Sequence, residues 1–255
     1  MHIEVRGAGP ALVLLHGWAM HGAVFAPLTA RLEQQFTLHL VDLPGHGRSR
    51  DSSVPLQLDA VARQVAAQTP PAPWLGWSLG GLVALQAAQT LPGSVQRLLM
   101  LCASPRFVRG DDWPQGMDAR VFGDFAAHLA GDYRGTIDRF LMLEAQGSDH
   151  MREEIRLLRE QVFACGEPAA DKLGDGLVLL QDSDLRAGLA RLAMPSLWIA
   201  GRRDRLVAPA AMQAAAGLCP GSQFLQIAGG GHAPFLTYAA QVAGAIEQFC
   251  ALAPA

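Results

Sequence analysis

Apolar positions along this chain follow two alternating rhythms. Short unbroken apolar runs recur, such as Ala11-Leu12-Val13-Leu14-Leu15, Trp74-Leu75 before a Gly-Trp pair, and Leu98-Leu99-Met100-Leu101-Cys102. Between them lie longer stretches in which apolar residues return every three or four positions. A continuous run of four to eight apolar residues suits a strand covered on both faces, and the 3.6-residue period suits a helix with one buried stripe. On this pattern strands are expected within Met1–Gly9, at Ala11–Leu15, Phe36–Val41, Pro73–Leu75, Val95–Cys102, Pro195–Ala200 and Gln223–Ile227. Helices are expected near Phe25–Glu33, at Leu58–Gln68, directly after Ser78, at Ala208–Gly217 and at about Ala239–Ala251. Strands that alternate with helices predict an α/β architecture: a mostly parallel central sheet with right-handed crossovers, flanked by helices.

The rhythm breaks between about Arg106 and Arg191. Strand-like runs stop, charge rises, and the period is helical with breaks at Pro114, Gly131, Gly147, Gly166 and Gly174. The expectation is a core formed by residues 1–105 and 192–255, with residues 106–191 inserted as a helical cap. No internal repeat or low-complexity linker interrupts it. In open parallel sheets, sites form beyond the carboxyl ends of the strands, so chemistry is expected at those ends.

Gly76-Trp77-Ser78-Leu79-Gly80 stands at such an end, after a strand and before the helix Gly81-Leu82-Val83-Ala84-Leu85. A G-x-S-x-G strand–turn–helix is the nucleophile elbow of α/β-hydrolases: the glycines permit a tight turn and the serine hydroxyl is thrust clear of the sheet. A serine needs a base, and the base needs an orienting acid. Asp204, in Gly201-Arg202-Arg203-Asp204, and His232, in Gly229-Gly230-Gly231-His232, each follow a later strand, in the order Ser, Asp, His. The expected roles are nucleophile for Ser78, general base and acid for His232, and orienting carboxylate for Asp204. An Asp after a strand is often only a turn residue. Asp42, Asp182 and Asp184 are rival acids, and His16 and His46 rival bases. Asp42 and both histidines precede the serine, and Asp182 and Asp184 fall in or at the end of the insertion. The backbone N–H groups of Leu79 and Trp18 are the expected oxyanion donors, Trp18 lying in His16-Gly17-Trp18 after the second strand. The Trp18 and Trp77 rings, at the same rim, are expected to line an apolar acyl slot.

Composition narrows the classes. The 255 residues allow one large domain, half of them are apolar, and the net charge of −3 offers no reason to expect nucleic-acid binding. Lys172 is the only lysine. Cys102, Cys165, Cys219 and Cys250 are scattered with no C-x-x-C pair, as expected of reduced thiols in a cytoplasmic protein. No signal-peptide pattern occurs, and no stretch nears the roughly 20 apolar residues of a membrane span. No metal motif and no strand-bound G-x-G-x-x-G is present, so no metal and no cofactor is expected.

The motifs carry a resemblance. Leu14-Leu15-His16-Gly17-Trp18, Val41-Asp42-Leu43-Pro44-Gly45-His46-Gly47-Arg48-Ser49, the Ser78 elbow, His232-Ala233-Pro234-Phe235, Asp112-Trp113-Pro114 and Asp138-Arg139-Phe140-Leu141 resemble the carboxylesterases of biotin synthesis. The resemblance spans nearly the whole chain and is thinnest in the insertion. It implies hydrolysis of the methyl ester of pimeloyl-[acyl-carrier protein], giving pimeloyl-[acyl-carrier protein] and methanol. It also implies that Phe140, Leu141, Met142, Leu143 and Glu144 join Trp18, Trp77 and Leu79 in contacting the substrate. The partner would be an acyl carrier protein, with no nucleic acid and no membrane, and the form a monomer. Arg152, Arg156 and Arg159 recur at i, i+4 and i+7 on one helix face, and Arg139 could extend the patch; together they would steer an acidic carrier. A solvated face paired with Glu153, Glu154 and Glu160 is the plainer reading of the same residues. Two other functions use the same features: a broad short-chain carboxylesterase or carbon–carbon hydrolase, told apart by substrate preference, and a noncatalytic hydrolase-fold receptor, told apart by serine labelling.

Overall fold

The computed structural model describes residues 1–251; the last four residues of the expected core, 252–255, lie outside the described residues. The strands are β1 (Ile3–Arg6), β2 (Ala11–Leu15), β3 (Thr37–Val41), β4 (Ala72–Trp77), β5 (Val95–Leu101), β6 (Ser196–Gly201) and β7 (Ser222–Ile227). They form one sheet in the order β1-β3-β2-β4-β5-β6-β7, with β1 antiparallel to β3 and every other pairing parallel. Every residue of β4 and β6 is buried, as the unbroken apolar runs require of central strands.

The helices beside the sheet are α1 (Ala26–Leu32), α2 (Leu58–Gln68), α3 (Leu79–Thr90), α8 (Pro209–Gly217), α9 (Pro234–Thr237) and α10 (Ala239–Ala251). Helix α3 is apolar nearly all round, with nine of its residues buried, because it is packed between the sheet and its neighbours. Between β5 and β6 the chain forms α4 (Ala119–Leu129), α5 (Tyr133–Ala145), α6 (Met151–Val162) and α7 (Ala170–Asp182). Gly131, Gly147 and Gly166 separate these helices, as expected. Gly174 does not: it lies inside α7. Leu173, Leu177 and Leu180 recur on one buried face of α7, and that burial outweighs the roughly 1 kcal/mol helix penalty of a glycine. The connection before α4 also carries two isolated bridges, Val108 with Met117 and Gly110 with Trp113, where only helical periodicity was expected.

Register aligns the carboxyl ends of the central strands. Leu15 lies beside Gly76, Trp77 beside Leu101, and Gly201 beside Ile227. Residues just past β2, β4, β6 and β7 therefore share one rim, and α5 to α7 reach over it. The Trp18 indole N–H donates to Leu173 O (2.8 Å), His21 Nε2 donates to Gln161 O (2.8 Å), and His232 N donates to Glu144 O (3.2 Å).

Candidate active site

Ser78 sits between β4 and α3 with φ +53°, ψ −119°, a conformation that costs a non-glycine residue about 1–3 kcal/mol. It persists because its surroundings over-determine it. A Cβ on Gly80 would overlap the carbonyl of Leu15, so the elbow presses directly on the end of β2. Ser78 N donates to Leu101 O (3.2 Å), and Ser78 O accepts from Gly81 N (2.9 Å). The hydroxyl is thereby aimed off the strand axis, at the start of a helix whose first amides point the same way.

His232 and Asp204 come from neighbouring loops and meet. His232 Nδ1 lies 2.8 Å from Asp204 Oδ2, and both side chains are fully buried. Asp204 Oδ1 accepts from Leu206 N (2.8 Å) and Val207 N (2.9 Å). A carboxylate that takes three donors only accepts, so His232 must carry its proton on Nδ1 and present a bare Nε2. Ser78 Oγ and His232 Nε2 are both buried and without a hydrogen-bond partner among the described residues. They are the unpaired donor and the unpaired acceptor of one rim. The amides of Trp18 and Leu79 likewise donate to no acceptor among the described residues.

The structure parts the two tryptophans expected to line one slot. The Trp18 ring packs on Phe140, centroids 4.5 Å apart, and close to Gly176 of α7, where a Cβ would stand 2.8 Å from the indole and 3.4 Å from the Leu79 side chain. Trp18, Leu79 and Phe140 thus converge under α5 and α7. The Trp77 ring packs instead against Phe25, Phe235 and the His232 ring, and its Nε1 donates to His232 O (2.8 Å). Its task here is to hold the histidine loop.

Residues 140–144 run along a helix and cannot all face one cavity. Phe140, Leu141 and Glu144 are buried, Leu143 is half-buried, and Met142 faces solvent. Glu144 is fully enclosed, and neither carboxyl oxygen has a hydrogen-bond partner among the described residues. Burial, and then the nearby charge of Asp204, hold its pKa well above the usual carboxylate range. Glu154 lies close by, also raised by burial, and accepts from Ser148 (2.8 Å) and Thr237 (2.7 Å). Sequence reasoning assigned Glu144 only as a substrate contact. Its signal was available: Glu144 is four residues after Phe140, on the same helix face.

The rival bases have other work. His16 Nε2 accepts from Leu43 N (2.9 Å) and His46 Nε2 from Ala19 N (3.3 Å), so both rings are neutral braces between the β2 and β3 loops. Burial pushes His46 down to about 4 and His16 well below its ordinary value. Asp42 accepts from Gly22 N and Arg48 N, and Asp184 pairs with Arg106 and Arg186. Neither approaches the role of Asp204. Asp182 is the exposed last residue of α7.

The four arginines expected to form a basic face are exposed, but three are paired. Arg139 meets Asp132 (2.9 Å), Arg156 meets Glu160 (2.6 Å) and Arg159 grips Asp138 through two bonds (2.6 and 2.9 Å). Among the described residues Arg152 makes no ion pair. Glu154, expected on that solvated face, is buried beneath it. No cluster of His, Cys, Asp or Glu among the described residues is placed to hold a metal, and no described helix is long and apolar enough to cross a membrane.

Comparison with known proteins bears on the fold. The profile of the alpha/beta hydrolase fold matches residues 10–239. The chain is 60% identical over 254 residues to the pimeloyl-[acyl-carrier protein] methyl ester esterase of Xanthomonas oryzae pv. oryzae, covering all of both chains. It is 59% identical over 256 residues to the protein of that name from Stenotrophomonas maltophilia, covering all of this chain and 98% of the relative. Among solved structures, an esterase from Exiguobacterium antarcticum superposes with a TM-score of 0.85 at 20% identity, over 97% of this chain and 94% of that one. The enol-lactonase from Burkholderia xenovorans gives 0.85 at 18%, over 98% and 96%; both structures speak to the fold alone. By its strand order, its elbow and this match across most of its length, the chain belongs to the α/β-hydrolase family.

Proposed function

We propose that the chain is a serine carboxylesterase that hydrolyses the methyl ester of pimeloyl-[acyl-carrier protein], releasing methanol and the pimeloyl-[acyl-carrier protein] needed for biotin. One observation supports the chemistry above all. A buried Asp204–His232 pair leaves Nε2 bare on the rim that carries an equally unpartnered Ser78 hydroxyl. The substrate class is supported by relatives of that name at 60% identity over their full length.

In this reading Ser78 Oγ attacks the ester carbonyl and His232 Nε2 takes its proton. Asp204 holds the tautomer and stabilises the imidazolium. The Trp18 and Leu79 amides receive the oxyanion, each contributing about 3–4 kcal/mol to the transition state. His232 then protonates the departing methoxide, methanol leaves, and water cleaves the acyl-enzyme by the same route. Trp18, Leu79, Phe140 and Leu141, with Met142, Leu143 and the buried Glu144, contact the acyl chain, and Trp77 acts through the histidine loop. Residues 106–191 serve as the cap. Arg139, Arg152, Arg156 and Arg159 guide the acidic carrier, and Arg139, Arg156 and Arg159 exchange their surface ion pairs for carrier carboxylates at small cost, since each such pair is worth about 0–1 kcal/mol. The working form is a cytoplasmic monomer.

The test is rescue of a biotin auxotroph that lacks its methyl esterase, with Ser78→Ala as control, alongside fluorophosphonate labelling of the purified protein. Rescue by Ser78→Ala, or absence of label on Ser78, refutes the enzyme. Robust turnover of p-nitrophenyl esters without rescue points to a broad esterase instead. Unchanged turnover of the carrier-linked ester at low salt in Arg152→Glu/Arg156→Glu refutes the docking face.

A further inference from the structure

Ser78, His232 and Trp18 are completely enclosed, so no ester reaches the hydroxyl unless the cover opens. Most of that cover is fastened to the sheet half. The α5–α6 turn is held by Asp149 N to Gly229 O (3.1 Å) and by Arg203 to Asp149 (2.5 Å), and the first turn of α6 by Thr237 donating to Glu154 (2.7 Å). The end of α6 is held by His21, and α7 by Ala169 N to Gly45 O (2.8 Å) and by the Trp18 indole. Helix α4 differs. Among the described residues it makes no hydrogen bond or ion pair to the sheet half and packs on α5 and α7.

A groove of about 580 Å³ runs between α4 and α5. Val121, Asp124, Phe125 and His128 of α4 form one wall, and Arg139 and Leu143 of α5 the other. At its floor the Phe125 ring meets Phe140 edge-on at 5.2 Å, and Phe140 lies on Trp18 at 4.5 Å. The aromatic sequence Phe125, Phe140, Trp18 therefore leads from solvent to Trp18, an oxyanion donor in the proposed mechanism. The groove is mostly apolar with a cation, Arg139, at its edge, now paired with Asp132 and Thr136.

We propose that the α4–α5 seam is the way in for the acyl chain and its phosphopantetheine arm, with Phe125 as the gate. This rests on the methyl esterase reading. A thin, uncharged arm with a single phosphodiester at its protein end matches the groove's composition: the chain lies along Val121, Phe125 and Leu143, and the phosphodiester meets Arg139. Tilting α4 uncovers Phe140 without breaking any of the bonds that fix the loops of Asp204 and His232. Phe125 determines how thick a chain passes.

The experiment uses the full chain with two substitutions at half-buried positions. Val121→Trp fills the groove. Its kcat/KM is expected to fall about tenfold more for the carrier-linked methyl ester than for p-nitrophenyl acetate, mainly through KM. Phe125→Ala widens the gate and should at least roughly double the labelling rate of Ser78 by a bulky fluorophosphonate. Melting temperatures establish that both variants fold. A Val121→Trp protein that melts like the wild type yet treats both substrates alike overturns the route, as does unchanged labelling in Phe125→Ala. A wild type that turns over p-nitrophenyl acetate but not the carrier-linked ester refutes the substrate assignment instead. In that case Val121→Trp impairs only the longer p-nitrophenyl acyl esters if the route is right, and all of them equally if it is wrong.

Discussion

Replacing Asp204 with Asn tests the catalytic geometry with almost no change of shape. Asp204 Oδ1 receives two backbone N–H groups, from Leu206 and Val207, and Oδ2 receives His232 Nδ1. In Asn one oxygen becomes an NH₂. Placed at the Oδ1 position it would face two donors, leaving both amides buried without acceptors at about 1–3 kcal/mol each. The amide therefore orients with its oxygen toward Leu206 and Val207 and its NH₂ toward His232. Nδ1 must then accept, the imidazole proton moves to Nε2, and the ring can no longer take the Ser78 proton. The expected loss in kcat is about 10⁴-fold, as wrong-tautomer substitutions give in other triads, or about 5 kcal/mol of barrier. The fold should survive, because two of the three hydrogen bonds persist and the third reverses direction. The assay is steady-state hydrolysis of a p-nitrophenyl ester with a melting curve, and nitrogen NMR of the imidazole to read the tautomer. Asp204→Asn retaining a tenth of wild-type kcat, or keeping its proton on Nδ1, would refute this account of the site.

Three further outcomes follow from the packing around it. His46 is neutral and buried with its pKa lowered to about 4, so the unfolded chain takes up a proton first as pH falls below 6.5. Stability should drop by about 3 kcal/mol between pH 6.5 and 4 from this residue, and His46→Gln should flatten that part of a melting-temperature profile. Glu144 has the opposite sign: its raised pKa means the unfolded chain loses the proton first as pH rises above 4.5, so its burial costs stability at neutral pH. Glu144→Gln should gain on the wild type between pH 5 and 8, and a constant difference across that range would contradict the protonated state. Gly201→Ala would drive a Cβ into the carbonyl of Gly231, backbone against backbone. It should destabilise by about 3 kcal/mol or more and lower kcat, since both catalytic loops hang on that contact.

Much of the site was legible before folding was considered. Elbow, acid and base each follow a strand, and the chain order Ser78, Asp204, His232 is local information. The arginine spacing was legible too, but not its pairing. Arg159 finds Asp138 on another helix, 21 residues away in sequence, and helical periodicity says nothing about neighbours across an interface. The segment Phe140 to Glu144 is contiguous in sequence, but 100° per residue turns its third member, Met142, to solvent. Trp77 was read from its position beside the serine, but its ring direction depends on Phe25 and Phe235, residues distant on both sides in sequence.

By itself the sequence determined the strands, the long helices of the sheet half and the candidates for the reacting groups. These depend on apolar runs, turn glycines and intrinsic side-chain chemistry, all of which act within a few residues. Tertiary structure alone decided which carboxylate meets the histidine and in which tautomer. It also raised the pKa of Glu144, by enclosing it beside Asp204, and left α4 the least fastened part of the cover. Each of those outcomes is a matter of solvent exclusion or of contact between remote segments. Their energies arise only when the chain closes on itself and water leaves.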